Sequence, residues 1–341
     1  MSLKNLSAKK IPKAIKDKLL NKKINDLYQS FEKFFTLKEQ FIVAVSGGSD
    51  SLALAFLTKV YAIKKNINVK YIIIDHKLRN DSTKEAEKVK EILLNFSIRS
   101  KILTWRGKKP LKNVQSLARK KRYELLFAQC DQHKIRNLVL GHHIDDKVEN
   151  FFIRMLRGSG LKGLVSLGLK TKIGNINLIR PLLKFKKKDL IFISRNVFNF
   201  FVEDPSNDDV KYTRIRVRKL IAGLYKNGLD ENKFLLTVKN LKSSDQAILF
   251  YVEQNKKLNS FYFQREKKLI LNKNFFNNPY EIVFRSLSDS IKLVGGMFNP
   301  VRGKKIDNII KEIGKNMPIK QTLGGCIIKK VNQTIILTKE S

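Results

Sequence analysis

One short string of glycine, serine and aspartate has the composition of a phosphate-binding loop. Residues 46–51 read Ser-Gly-Gly-Ser-Asp-Ser and follow the apolar run 41–45. Glycines let a backbone approach phosphate without a clash at Cβ, and N–H groups at a helix N-terminus attract anions. The Asp50 carboxylate is the kind of ligand that Mg²⁺ prefers. The candidate ATP-binding residues here are Ser46, Gly47, Gly48, Ser49, Asp50 and Ser51, with Asp50 also the candidate catalytic and magnesium-binding residue.

A second candidate for chemistry is an acidic helix start at residues 141–149, Gly-His-His-Ile-Asp-Asp-Lys-Val-Glu. Apolar side chains at positions 144, 148, 151, 152 and 155 form one stripe that we expect to be buried. Asp146 and Glu149 then fall on the opposite face, one turn apart. Acidic residues also stabilise a helix N-terminus. Because the chain as a whole carries a large positive net charge, we interpret Asp146 and Glu149 as a subsite for a cationic group.

The elements that must position these residues alternate between strands and helices. Continuous apolar runs predict buried strands at 41–45, 69–74, 99–104, 137–140 and 176–179. Helical patterns lie between them at 51–64, 83–95, 114–133 and 144–156, followed by one at 186–197. This alternation predicts an α/β fold with a doubly wound parallel sheet covered on both faces. In such sheets, ligands bind beyond the carboxyl ends of the strands, where both candidate strings begin.

The pattern predicts four segments along the 341 residues. Residues 1–38 form a basic N-terminal extension with a helix around 11–35, and residues 39–213 form the ATP-binding catalytic domain. A mostly helical, basic region follows at 214–277. Residues 278–341 form a small α/β unit with a helix near 307–313 and strands at 326–330 and 334–338.

Charge and cysteine content narrow the class of protein. The chain has 69 Lys and Arg residues and 30 Asp and Glu residues, which gives a net charge of +39. The electrostatic field of such a charge favours a polyanionic partner through counterion release. The same excess of basic residues would also arise if the proteins of the host were generally rich in lysine. The two cysteines are too few for a disulfide framework or a four-cysteine metal site. With no signal peptide and no long apolar stretch, we expect a cytoplasmic protein that does not enter a membrane.

Three other readings of the sequence are weaker. Residues 158–163 match the dinucleotide fingerprint G-x-G-x-x-G but follow a predicted helix, whereas that fingerprint must follow a strand. The lysine of a Walker A loop is missing from residues 46–51. The pair His142 and His143 has no third ligand at clear spacing, so we predict no dedicated transition-metal site.

Several strings, in this order, resemble the tRNA(Ile)-lysidine synthases, a family within the PP-loop (N-type ATP pyrophosphatase) superfamily with its adenine nucleotide alpha hydrolase-like fold. They lie at residues 46–51, 74–79, 118–123, 141–149, 154–164, 180–183, 203–207 and 214–218. The resemblance covers about residues 40–220 and continues weakly to residues 323–325. Asn150 stands where a threonine is usual and Ile215 where an asparagine is usual, which puts one polar contact in doubt. The chain also resembles family members without the extra C-terminal domain of longer ones.

The resemblance implies a two-step reaction on a tRNA(Ile) with a CAU anticodon. The oxygen on carbon 2 of the wobble cytidine attacks the α-phosphate of ATP, with Mg²⁺ present, and pyrophosphate leaves. Free L-lysine then attacks carbon 2 and displaces AMP, so the enzyme is an ATP-dependent carbon–nitrogen ligase.

The resemblance also assigns roles to residues at matching positions. Further ATP-binding residues are Asp75, His76, Gly141 and His142, and either Arg119 or Arg122 neutralises the α-phosphate. Asp146 and Glu149 hold lysine and accept its proton. Lysine or tRNA contacts come from Arg157, Asn207, Arg214 and Arg218.

Alternatives from other classes stay open at this point. A tRNA 2-thiolation enzyme of the same superfamily would need paired cysteines, and a small-molecule synthetase would not need the positive charge. A non-catalytic RNA-binding module would not need the intact phosphate loop. The oligomeric state is open, with a homodimer among the options.

Overall fold

The computed structural model describes residues 11–79, 81–105, 107, 114–203, 213–296, 301–315 and 319–340, apart from the side chain of Gln115. Its contacts divide the chain into two compact units, Met1–Leu229 and Asp230–Ser341. The boundaries predicted at residues 38, 213 and 277 do not coincide with this division. The N-terminal segment and the helix after residue 213 belong to the first unit.

The first unit alternates strands and helices much as the sequence indicates. Its strands are β1 (Phe41–Val45), β2 (Val69–Asp75), β3 (Ser100–Thr104), β4 (Asn137–Val139), β5 (Lys170–Ile173) and β6 (Ile176–Ile179). Its helices are α1 (Lys13–Leu19), α2 (Lys22–Phe34), α3 (Ser49–Lys65), α4 (Ser82–Asn95), α5 (Val114–Gln132), α6 (Ile144–Leu156), α7 (Leu161–Leu164), α8 (Lys187–Phe198) and α9 (Thr213–Lys226). The strands and helices predicted between residues 41 and 197 are present, with ends that differ by at most two residues.

Within the described residues, the strands form one sheet in the order β3-β2-β1-β4-β6-β5. The pairings from β3 to β6 are parallel, which confirms the predicted α/β class. The edge strand β5 was not predicted, and it pairs antiparallel with β6. The hairpin between them turns at Gly174, whose φ of +56° suits glycine. The sheet is therefore mixed at one edge.

Alternate residues of β1 enter different cores, so both faces of the sheet are covered. Phe41, Val43 and Val45 lie in a core with α3 and α8, whereas Ile42 packs with Leu126 of α5 on the other face. The chain order changes direction between β1 and β4. Loops at this switch point diverge to opposite faces and leave a crevice at the carboxyl ends of the two strands.

Residues 11–35 of the predicted basic N-terminal extension contribute side chains to the first core. The single helix predicted around residues 11–35 is two helices, because the chain turns at Leu20 and Asn21 caps α2 by accepting from the N–H of Ile24. Buried side chains of both helices join the core of the sheet. They are Ile15, Leu19, Ile24, Tyr28 and Phe31. The lysines occupy the opposite, solvent-facing sides.

The second unit is a small α/β structure with its own core. Its helices are α10 (Glu231–Asn259), α11 (Tyr280–Gly295) and α12 (Gly303–Ile313), with a 3-10 helix at Lys273–Phe276. Its strands are β7 (Ser260–Phe263), β8 (Lys268–Leu271), β9 (Lys320–Leu323), β10 (Cys326–Val331) and β11 (Thr334–Lys339). In the described residues they form one antiparallel sheet in the order β7-β8-β11-β10-β9.

The sequence interpretation of this unit needs correction. Strands β7 and β8 lie in the region expected to be mostly helical, and α11 and β9 were not predicted. Strand β8 is paired by β11, more than 60 residues later, through register partners such as Leu271 and Ile335. A pairing so distant in sequence leaves little local signal. None of the helices described here is long and apolar enough to cross a membrane.

Candidate active site

A larger and a smaller cleft lie at the switch point, within the first unit. The larger, of about 890 Å³, runs from the phosphate loop past α6 to α8 and α9. The smaller, of about 440 Å³, lies over the ends of β1, β2 and β4. Ser46, Asp50, Arg79 and Asp146 line both clefts. A ligand in one cleft would therefore be adjacent to a ligand in the other.

The phosphate loop is closed on itself by a serine. Ser51 Oγ accepts from the backbone N–H of Ser46 (3.1 Å) and donates to the carbonyl of Gly48 (2.9 Å). Helix α3 begins at Ser49, and Gly48 precedes it without a side-chain cap, which leaves the first N–H groups of the helix to an external acceptor. The loop thus fits an anion, since it combines free N–H groups with the positive end of a helix dipole.

Two glycines are required by this geometry. Gly47 has φ +85°, and a Cβ there would lie 2.8 Å from Val89 Cγ2 and 3.0 Å from Val202 Cγ2. At Gly141, after β4, a Cβ would meet the backbone carbonyl of Asp50 at 3.2 Å. Both positions therefore need a residue without a side chain, the second so that the end of β4 can approach α3.

Gly47→Ala is expected to lower the free energy of unfolding by about 2–4 kcal/mol, combining left-handed backbone strain with steric overlap. Gly228→Ala is the matched control, because its φ is +94° and a Cβ there meets no described atom within 4 Å. The free energy of unfolding of the control should fall by only about 1–2 kcal/mol, the part that comes from left-handed backbone strain. Urea unfolding of both variants measures the difference. Equal losses would show that the Val89 and Val202 contacts do not constrain the loop.

Asp50 is held by a lysine that the sequence analysis did not identify. Lys187 Nζ lies 2.7 Å and 2.8 Å from the two carboxylate oxygens, and His143 Nε2 lies 3.6 Å from Oδ2. A partly exposed carboxylate at the phosphate loop is a suitable oxygen ligand for Mg²⁺. Residues 184, 186, 187 and 188 are all lysines, so the sequence gave no reason to choose Lys187 among them.

His143 connects the phosphate loop to the acidic helix start. Its imidazole nitrogens lie 3.4–3.6 Å from carboxylate oxygens of Asp50, Asp145 and Asp146. Burial disfavours the charged ring, but the hydrogen bond to Asp145 and the three negative charges raise the pKa of His143 above its ordinary value. The same hydrogen bond lowers the pKa of Asp145. His143 was absent from the predicted site, where its neighbour His142 had been chosen.

Asp146 and Glu149 both line the larger cleft, in different environments. Asp146 accepts from the backbone N–H of His143 (3.0 Å). Burial opposes its charge, yet the nearby His143 ring keeps the pKa of Asp146 low. Glu149 is 5% exposed and its Oε1 accepts from Arg218 Nε at 2.5 Å. Burial raises the pKa of Glu149 despite that arginine.

The second oxygen of Glu149 is significant because Oε2 is buried and has no hydrogen-bond partner among the described residues. The sequence placed Glu149 opposite the apolar stripe, and the structure adds that Arg218 of α9 lies against it. The apolar stripe of α6 is also shorter than predicted. Ile144, Val148 and Phe152 are buried, but Met155 is 46% exposed.

Besides Ser46, Asp50, Ser51 and Asp146, the smaller cleft brings together six further residues predicted for ATP or its α-phosphate and one further residue predicted for lysine or tRNA. They are Asp75, His76, Arg119, Arg122, Gly141 and His142, with Arg214. The Nδ1 atoms of His76 and His142 are buried without a hydrogen-bond partner in the described part of the chain. Burial lowers the pKa of His142 to about 3, so this ring is neutral near pH 7. Unpaired buried ring nitrogens of this kind fit a bound polar ligand.

Asp75 lines the smaller cleft, and its carboxylate is also held by the turn that follows β2. Its carboxylate accepts from the hydroxyls of Ser82 (2.8 Å) and Thr83 (2.7 Å) and from the N–H of Lys77 (2.9 Å). Burial alone would raise the pKa of Asp75, but these hydrogen bonds lower it. The side chain thus fixes the turn between β2 and α4, and His76 is the neighbour left available to a ligand.

Some predicted residues are not brought to the clefts. Arg157 is exposed at the C-terminal end of α6 and lines neither cleft. Arg214 lies in the smaller cleft, apart from Arg218 in the larger one. Asn207 lies outside the described residues. Ile215 is buried and holds α9 in place, which accounts for an apolar residue at that position.

Comparisons with known proteins agree with this geometry. A family model described as a PP-loop domain matches residues 17–224. The tRNA(Ile)-lysidine synthase of Orientia tsutsugamushi is 35% identical over 324 residues, covering 91% of this chain and 72% of that protein. The enzyme of the same name from Wolbachia sp. subsp. Brugia malayi is 31% identical over 324 residues, with coverages of 93% and 75%.

Among solved structures, the U34-tRNA thiolase NcsA from Methanococcus maripaludis matches with a TM-score of 0.56 at 20% identity. The match covers 65% of this chain and 79% of that one. At this identity the likeness concerns the fold. The two cysteines of the present chain are both buried, one in each unit, and do not form a pair.

Proposed function

This chain belongs to the tRNA(Ile)-lysidine synthases, a family with the PP-loop domain, and we propose that it converts the wobble cytidine of tRNA(Ile)(CAU) to lysidine. The substrates are ATP, free L-lysine and the tRNA, and the products include AMP and pyrophosphate. The observation that carries the proposal is the meeting of the two clefts at Ser46, Asp50 and Asp146. A two-step reaction at one cytidine needs a nucleotide and an amino acid on adjacent sides of the reacting atoms.

The first step takes place on the side of the smaller cleft. The loop from Ser46 to Ser51 holds the β- and γ-phosphates, while His76 and His142 face the nucleoside. Arg119 and Arg122 lie in the same cleft, where their charge stabilises the α-phosphate during attack by the cytidine oxygen. Mg²⁺ bound at Asp50 would neutralise charge on the departing pyrophosphate.

The second step uses the larger cleft, and the two carboxylates take different parts in it. Asp146, with its lowered pKa, stays ionised and attracts the lysine ammonium group. Glu149 is the better proton acceptor, because burial raises its pKa and its Oε2 is without a partner among the described residues. The neutral amine then attacks carbon 2, and the cytidine oxygen leaves on AMP.

The tRNA partner, the cellular compartment and the enzyme class are part of the same proposal. A net charge of +39 supplies the attraction that a polyanion of this size needs. Because tRNA, ATP and free lysine are found together in the cytoplasm, we place the reaction there. The bond made joins carbon to nitrogen at the expense of ATP, which makes the chain a ligase.

The test is a stepwise assay with transcribed tRNA(Ile)(CAU). With ATP and Mg²⁺ but no lysine, we expect one pyrophosphate per tRNA and an adenylated RNA. Added lysine should then release one AMP per lysine incorporated. A thiolation enzyme would not incorporate lysine, and a binding module would release no pyrophosphate, so either result contradicts the proposal.

A further inference from the structure

Lys187 lies at the phosphate loop and has no part in the mechanism above. It is the first residue of α8, and its ammonium group contacts both oxygens of Asp50. Both residues line the larger cleft beside Ser49. A cation is thus placed at the loop by an element remote in sequence, 137 residues beyond Asp50.

The backbone that carries Lys187 is fixed relative to the loop. Helix α8 packs on α3, and Ser194 Oγ donates to the backbone carbonyl of Ser49 at 2.6 Å in a buried contact. Leu190 and Ile193 anchor the same helix in the core with less than 1% exposure. The Lys187 side chain is nevertheless 43% exposed. Its flexible methylene stem can therefore move the charge while its Cα stays in place.

The contact between Lys187 and Asp50 suits the chain without a bound nucleotide and metal ion. It does not suit the chain with both bound. A carboxylate that ligates a divalent cation cannot also hold an ammonium group at 2.7 Å without strong repulsion between the two cations. The phosphates held by the loop would be the nearest alternative anions. Lysine is a common phosphate-binding residue because it acts as a mobile point charge.

We propose that Lys187 is a phosphate-binding residue of the ATP site. In the free chain it neutralises Asp50. With ATP bound and magnesium at Asp50, its ammonium group would contact the terminal phosphates and would stabilise pyrophosphate as the leaving group. The inference rests on the proposed function in taking ATP as the substrate. A purely structural ion pair would bind no phosphate.

Calorimetric titration with magnesium pyrophosphate tests this without tRNA or lysine. Lys187→Gln should bind pyrophosphate about 10–100-fold more weakly, the effect of losing one hydrogen bond to a charged group. Lys187→Arg keeps the charge and should stay within about threefold of wild type, a change under 1 kcal/mol. Lys188→Gln is the matched control, an exposed lysine next along the same helix, and should leave affinity unchanged. Thermal unfolding is measured for each variant.

Unchanged pyrophosphate affinity in Lys187→Gln would overturn the inference, with or without a loss of stability. An equal loss of pyrophosphate affinity in Lys188→Gln would also overturn it, because that result would indicate a general electrostatic attraction and not a specific contact. Asp50→Asn in metal-free buffer provides a second measurement if Lys187→Gln fails to fold. Pyrophosphate should then bind more tightly than to wild type, because Lys187 is released, and an unchanged affinity would contradict us. Lysine incorporation by the wild-type chain is assayed separately, so failure of the proposed function is distinguishable.

Discussion

Asp50→Ala should reduce AMP formation in a single turnover by at least about 10²–10³-fold, the usual effect of removing one group that stabilises charge in a transition state. The variant loses the carboxylate that we propose ligates magnesium, and it leaves Lys187 and His143 without their shared partner. The remaining positive charge still attracts ATP. Binding of ATP should therefore persist while turnover fails.

Rapid-quench measurement with ATP labelled at the α-phosphate checks this expectation. Asp189→Ala is the matched control, since Asp189 lies on α8 outside both clefts and makes a loose contact of 3.9 Å with Lys23. That variant should turn over normally. Near-wild-type turnover by Asp50→Ala, with circular dichroism showing a folded protein, would remove Asp50 from the site.

Glu149→Gln separates use of lysine from adenylation. Glutamine keeps the size of the side chain but removes the charge and the carboxylate oxygen Oε2 that we propose accepts the proton. Lysine binding should weaken by roughly 1.5–3 kcal/mol, the value of a hydrogen bond to a charged group. Adenylation should change little, because the smaller cleft is not lined by Glu149. Adenylated tRNA is then expected to accumulate.

Single-turnover reactions at varied lysine concentration measure this effect. Glu124→Gln is the control, an exposed glutamate on α5 that pairs with Lys121. Its lysine dependence should match wild type. An unchanged lysine dependence in Glu149→Gln would mean that the pair of Glu149 with Arg218 is structural and that the amino acid binds elsewhere.

The sequence predicted those parts of the fold that depend on local pattern. Continuous apolar runs located β1, β2 and β4, and residues 46–51 and 141–149 were expected at their ends, where the structure has them. Strand β9 was missed because its pairing with β10, not its own composition, determines it. Strand β7 was missed although its aromatic residues favour a strand. The edge strand β5 has two lysines in four residues, which hides its pairing with β6.

The site was less predictable, because its contacts join distant residues. Glu149 pairs with Arg218 across 69 residues, and Asp50 with Lys187 across 137. The helical periodicity of α6 placed Glu149 on the face opposite the apolar stripe, but it could not show that Arg218 of α9 lies against it. His143 was not among the predicted site residues because the adjacent residues His142 and His143 look equivalent in the sequence. The structure separates them, since carboxylates raise the pKa of His143 and burial lowers that of His142.

Nucleoside mass analysis tests the central claim most directly. Transcribed tRNA(Ile)(CAU) is incubated with the chain, ATP, Mg²⁺ and lysine, then digested to nucleosides. We predict that one cytidine, at the wobble position, is replaced by a nucleoside heavier by lysine less water, and that a transcript with uridine there is unchanged. An unmodified wobble cytidine, under conditions in which ATP and tRNA both bind, would contradict the assignment.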